Sequence, residues 1–185
     1  MANEENDMGA ALEAQKIKYI EIMEQFLAHK EWDDEFEVNE ENAQVTLESG
    51  LTIGDQQGKL FVELNYDSDM VDVYIYYGFR CKKNKSDEMI KLFNDVHLRF
   101  ALGRFELLPD GRIRWRHRVD FEGSIASGIS IDRIVQPGWN CTERFVETIV
   151  AVAMTNQTAA EAIEEHDEAR AAAQAAQNDD APREL

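Results

Sequence analysis

Four arginines at alternate positions, Arg112, Arg114, Arg116 and Arg118, are the densest chemistry in this sequence. Successive side chains of a strand point to opposite faces. Ile113, Trp115, His117 and Val119 are therefore expected to face a core, and the four arginines to form one cationic stripe on the other side. Guanidinium forks match carboxylates and phosphates, so the stripe could take phosphates or an acidic peptide. The preferred reading is plainer: pairing with acids on an adjoining strand, or charges that guard an exposed edge. A second candidate surface lies on the segment Met70–Arg80. Val71, Val73, Ile75, Tyr77 and Phe79 fill one face, and Asp72, Tyr74 and Tyr76 fill the other. Tyrosine is an ordinary strand former, but a ring with a polar tip also suits an interface. Tyr74, Tyr76 and the four arginines are thus the candidate partner-binding residues.

Nothing else in the sequence carries a catalytic pattern. No Gly-x-Ser-x-Gly, phosphate-binding glycine loop or His-Glu-x-x-His is present, so no catalytic residue, metal ligand or cofactor is nominated. The four histidines stand on separate elements. Asn65-x-Asp67-x-Asp69 begins like a calcium loop, but Met70 occupies the position that needs glycine, and a hairpin turn is expected there. Cys141 lies near an expected helix start, which can lower a thiol pKa; a small buried residue is the preferred reading. Cys81 and Cys141 form no Cys-x-x-Cys pair and are read as free thiols of a reducing compartment.

The chain has 185 residues and a formal net charge of −18. From Arg80 to Arg118 the balance is +6, and over the remaining residues it is −24. An acidic molecule with a basic middle is a poor non-specific binder of nucleic acid. No apolar run approaches the roughly 20 residues of a membrane span, and the acidic start Met-Ala-Asn-Glu-Glu lacks the apolar stretch of a signal peptide. On those features the cytoplasm is the expected location.

Periodicity supplies the elements that position the candidates. Residues 1–8 are polar and expected to be flexible. Leu12, Tyr19, Ile20, Met23, Phe26 and Leu27 repeat at helical spacing over 9–30. Phe36 and Val38 suggest a short strand, and alternation marks strands over 44–53, 59–66 and 70–80. Ser86 is expected to cap a helix over 87–101. Leu108-Pro109-Asp110-Gly111 turns a hairpin between 104–108 and 112–121. Pro137-Gly138 should break the next helix, which resumes at about Asn140 and runs to Met154. Residues 156–185 read as an acidic, Ala-rich helical extension that buries little, followed by a disordered tail. One domain, 9–155, results: an α+β fold with an antiparallel sheet, helices on one face, in the order α-βββ-α-ββ-α.

That order, joined to Phe93-Asn94 and to the run Arg104-Phe105-Glu106-Leu107-Leu108-Pro109-Asp110-Gly111-Arg112-Ile113-Arg114-Trp115-Arg116, resembles the YbjN family of bacterial sensory-transduction regulators over about residues 10–155. Pro137-Gly138 and the Ala-rich extension depart from the family pattern. The YbjN fold is similar to that of the class I chaperones of type III secretion. The resemblance implies a non-enzymatic role, a protein partner held as an extended segment, and a homodimer. It supplies no catalytic residue. Similarity of fold does not fix function, and an anion- or nucleic-acid-responsive regulator using Arg112–Arg118 stands as the alternative.

Overall fold

The computed structural model describes residues 2–124 and 126–179. In chain order the elements are α1 (Ala2–Lys30), β1 (Phe36–Asn39), β2 (Gln44–Ile53), β3 (Gln56–Asn65), β4 (Met70–Arg80), α2 (Ser86–His97), β5 (Arg104–Leu107), β6 (Arg112–Asp120), α3 (Gly128–Met154) and α4 (Ala159–Asp179). The expected α+β class is found. One antiparallel sheet runs in the order β1-β2-β3-β4-β6-β5. Its first four strands are a meander closed by tight turns. The chain then crosses through α2, and β6 pairs with β4 while β5 takes the edge.

The strand period decides which face is covered. Val45, Leu47, Leu60, Val62, Leu64, Val71, Val73, Ile75, Ile113 and Trp115 alternate along four strands, and each is fully buried. Helices α1, α2 and α3 lie over this face. The first contributes Tyr19, Met23 and Phe26 to the core, the second Met89, Leu92 and Val96, and the third Ile131, Phe145, Ile149 and Val152. At its C-terminal turn, α1 is clamped to α3: His29 and Lys30 both reach Asp132, the latter at 3.0 Å. Those cations also suit the negative end of the helix dipole.

Several boundaries differ from the sequence expectation. Helix α1 begins at Ala2 rather than Gly9. Ser86 is the first residue inside α2, not its cap, and its hydroxyl donates to the Lys83 carbonyl. The helix also ends at His97, although Phe100 still packs on the core. Most consequentially, α3 does not break at Pro137 but runs unbroken from a Ser127 cap, whose Oγ accepts from Ser130 N–H. Interior proline costs about 3 kcal/mol. Buried residues on both sides of it, Ile131, Ile134 and Val135 before and Phe145 and Ile149 after, offset that cost at about 1.5–3 kcal/mol each. Gly138 explains the local sequence, because a Cβ there would collide with the Trp115 ring.

Helix α4 also buries more than its composition suggests. Ala159 and Ala162 are buried, and the His166 ring stacks on Phe145 at 4.8 Å. Thr158 and Glu161 form a reciprocal capping box: Thr158 N–H donates to the Glu161 carboxylate at 2.8 Å, and Glu161 N–H donates to the Thr158 hydroxyl at 3.3 Å. Arg99 holds Asp167 through two hydrogen bonds. The expected extension is thus tied to α2 and α3 along its first half. The last six residues of the tail, 180–185, lie outside the described residues.

Two tests follow from this packing. Gly138→Ala should lose about 1–3 kcal/mol in urea unfolding through overpacking against Trp115, whereas Gly9→Ala, whose Cβ meets open space, should be neutral or gain about 0.5–1 kcal/mol. The second concerns acid. His97 Nε2 accepts from Phe105 N–H at 2.8 Å, His117 lies beside Trp115, and His166 Nδ1 is 3.2 Å from the Thr148 hydroxyl. Burial pushes all three imidazoles below their ordinary 6.5. The unfolded chain therefore binds more protons as pH falls. Stability should be complete above about pH 6.5 and fall steadily below it, towards the depressed folded values. Urea midpoints at about pH 7.5 and 5.5 measure this, and His166→Gln should shrink the difference while the contributions of His97 and His117 remain.

Candidate functional site

On the uncovered face of the sheet, the side chains line up in rows across three strands. The pairing register puts Lys59 opposite Tyr76 and Tyr76 opposite Arg114, then Phe61 opposite Tyr74 and Tyr74 opposite Arg116, then Glu63 opposite Asp72 and Asp72 opposite Arg118. The two tyrosines expected from the sequence and the four arginines are thus brought together on one surface. Phe61 packs edge-on against Tyr76 at 5.6 Å. The Arg114 guanidinium lies 4.6 Å from the Tyr74 ring centre and donates to the Tyr76 hydroxyl at 2.7 Å. Arg116 lies over Tyr74 and Arg112 over Tyr76, at 5.5 and 5.7 Å. Cation–π contacts of this kind hold the rings in place.

The preferred expectation for the arginines, pairing with acids, describes the contacts formed. Asp72 is 1 % exposed and takes Arg118 at 2.6 Å and Arg116 at 3.0 Å. Burial alone would raise its carboxyl; the hydrogen bonds from Arg118 and Arg116 outweigh burial and hold it below the ordinary carboxylate range. Glu106 takes Arg114 at 2.6 Å and Arg104 at 2.8 Å, and is likewise held low against its burial. Asp110 takes Arg112 at 2.8 Å and Arg80 at 3.6 Å. The edge-guarding alternative is excluded, because β6 lies inside the sheet, between β4 and β5.

Asp72 and Asp110 each serve two arginines and Glu106 three, with Arg116 at 3.9 Å, so on the β4-β6-β5 side of the face arginines outnumber their partner carboxylates. Glu63 differs from all of them. It forms no hydrogen bond or ion pair among the described residues, and burial followed by the Asp72 charge pushes its carboxyl up. Between Lys59 and the arginines the face sinks into a trough of about 800 Å3, floored by Phe61, Tyr74 and Tyr76. Gly50 keeps its end open, with no atom within 4 Å of a built Cβ, whereas at Gly78, where β4 and β6 fall out of register between Tyr76 and Arg80, the Gln57 carbonyl oxygen would lie 2.5 Å from a built Cβ.

Lys59, Phe61, Glu63, Gly50 and Gly78 were not nominated from the sequence. The signal that could have found Phe61 is its phase: it is a large apolar residue at a position where the β3 alternation calls for a polar one. His117 and Val119, expected in the core, are only half-buried. Cys141 lies well inside α3 rather than near its start, and burial pushes both it and Cys81 up. Both cysteines are free. Among the described residues, no group of three or more His, Cys, Asp or Glu side chains is placed to hold a metal ion. No helix among them is long and apolar enough to cross a membrane.

Asp72 is the electrostatic keystone of the face. Asp72→Asn should cost about 1–3 kcal/mol in urea unfolding, since it strips a buried acceptor of its charge and leaves two arginines without a counter-ion. Because the native carboxyl is held low, its contribution is present above the ordinary carboxylate range of about pH 4 and is lost as pH falls further. The wild-type protein and the Asp72→Asn variant should therefore converge in stability towards acid.

Comparison of the chain with protein-family models, with curated proteins and with solved structures gives no match in any of the three.

Proposed function

We propose that this chain is a non-enzymatic protein-binding module, chaperone-like or regulatory, which receives a partner segment on the open face of its sheet. The observation that carries the reading is the trough itself. Three aromatic side chains stand on a sheet face that no helix among the described residues covers, and arginines that stack on them fix two of the rings. Tyrosine and arginine are the residue types enriched at interface hot spots. A volume of about 800 Å3 falls within the range of about 300–1,000 Å3 typical of binding clefts, and its shallow, open form suits an extended segment. The resemblance to the YbjN family and to secretion chaperones belongs with this reading, and it is the source of the homodimer and of the bacterial setting. The free cysteines fit a cytoplasmic location.

A second reading, an anion- or nucleic-acid-responsive regulator, draws support from the surplus of arginines over carboxylates. The net charge of −18 weighs against it for nucleic acid, because a polyanion meets repulsion from the rest of the molecule.

The test is affinity capture from native lysate with three proteins: wild type, Tyr74→Ser combined with Tyr76→Ser, and Leu98→Ser as a control on an exposed residue away from the sheet face. A stoichiometric protein partner should appear with wild type and control and fall by about tenfold or more in the double variant, the loss expected when hot-spot side chains are truncated. Equal capture by all three, or capture of nucleic acid in place of protein, would remove the proposal.

A further inference from the structure

We infer that the occupant of the trough is an acidic segment of the partner, lying extended, with its carboxylates at the Lys59–Arg112 end and an apolar side chain on the Tyr74–Tyr76 floor. This rests on the reading of the open sheet face as a protein-binding surface.

Charge supplies the first argument. Six arginines share three carboxylates on the β4-β6-β5 side of this face, while Glu37, Glu48 and Glu63 lie on its β1-β2-β3 side. The surplus is most accessible at one end, where the side chains of Arg80 and Arg112 are 62 % and 49 % exposed and share Asp110. Lys59, 60 % exposed even while it pairs with Glu48, stands on the opposite wall. Guanidinium N–H groups not used by Asp110 can take a carboxylate through a forked pair of hydrogen bonds.

Polarity supplies the second. Glu63 lines the other end of the trough, without a counter-ion of its own among the described residues. It lies four residues along β3 from Lys59, or about 13 Å at strand rise. A negative group is attracted at the Lys59 end and meets Glu63 at the other, where Arg114, Arg116 and Arg118 offset part of that charge, so the Lys59 end is the favoured place for the segment's carboxylates. The aromatic floor between them asks for an apolar side chain. A bare inorganic anion leaves that floor unused. A nucleic acid, with a charge about every 1.7 Å of duplex, would have to cross Glu63 and then the acidic remainder of the chain.

Gly50 supplies the third. It pairs with Lys59 at the cationic end, and a Cβ there would meet open space. A backbone can therefore approach the sheet closely there and bring its carboxylates level with Lys59 and Arg112.

The experiment uses the full chain and fluorescein-labelled peptides of about nine residues, enough to span the trough at about 3.3 Å per residue. One peptide carries glutamates at one end and Phe and Leu at the other. A second has each glutamate replaced by lysine, a third keeps the glutamates and replaces Phe and Leu by serine, and a labelled single-stranded oligonucleotide is the fourth probe. Fluorescence anisotropy should rank the acidic-apolar peptide first, by about tenfold over each of the others, which is the discrimination expected from one good charged contact. Lys59→Gln with Arg112→Gln should weaken that peptide about tenfold, and Glu63→Gln should tighten it a few-fold. The proposal is overturned if the lysine peptide or the oligonucleotide binds as tightly, if none of the peptides binds, or if the Lys59 and Arg112 changes leave affinity unaltered. The lysate partner separates the two levels. Capture that depends on Tyr74 and Tyr76 but not on Lys59 and Arg112 keeps the protein-binding module and dismisses the acidic occupant.

Discussion

The fit of Trp115 beneath α3 is the constraint on which the rest depends. The indole is fully buried, with Gly138 of the helix on one side and Gly103, at φ +72°, on another. Neither position has room for a Cβ. A ring of this size can lie in the sheet-to-helix interface only if β6 presents odd-numbered residues inward. That choice puts all four even-numbered arginines on the opposite face. A slip of one residue would reverse both sets at once, exposing the indole and burying four charges. The same fit explains why α3 tolerates Pro137: the helix is held against the sheet by buried side chains on either side of the proline, so the missing backbone hydrogen bond does not end it.

Once the arginines face outward, their chemistry is governed by a shortage of acids. Asp72 and Asp110 each serve two guanidinium groups, and Glu106 serves three. This satisfies the carboxylates fully and the arginines only in part. Within a molecule of net charge −18, such a face is a local exception. Its field is strong at short range and is screened by salt beyond about 8–10 Å at physiological ionic strength. The surface thus favours a short anionic segment already in contact over a long polyanion approaching from a distance.

Strands were more legible than helices in this sequence. The limits of β2 and β4 coincide with the alternation over 44–53 and 70–80, because turn residues punctuate both ends and one face of the sheet is buried throughout. Helix limits depended on tertiary contact. Pro137-Gly138 reads locally as a stop, and only the Trp115 ring beneath it shows that the glycine serves packing. Likewise α4 looks like a solvated alanine helix until His166 is seen stacked on Phe145. Of the site, the four arginines and two tyrosines were readable as stripes. Their being one surface was not, because that requires β6 to pair with β4 across an intervening helix and strand. Phe61 is hidden by the same periodicity that reveals the core, because it stands on the solvent-facing phase of β3, where alternation predicts no apolar role.

The two faces of the sheet respond to different conditions, and this bears on how the open one can work. Below about pH 6.5 the buried imidazoles weaken the helical side, while Asp72 and Glu106, held low by arginine, keep their charges. The pattern of the open face therefore outlasts the onset of softening in the core. Rigidity points the same way. Tyr74 and Tyr76 are braced by guanidinium groups that are themselves anchored on carboxylates, and the backbone beneath them belongs to central strands. A partner segment docking there meets side chains already ordered, so nearly all the ordering entropy of the complex falls on the partner. Changes to the bracing arginines should then act on affinity through ring mobility as well as through charge, whereas Lys59, which stacks on none of the three rings among the described contacts, acts through charge alone.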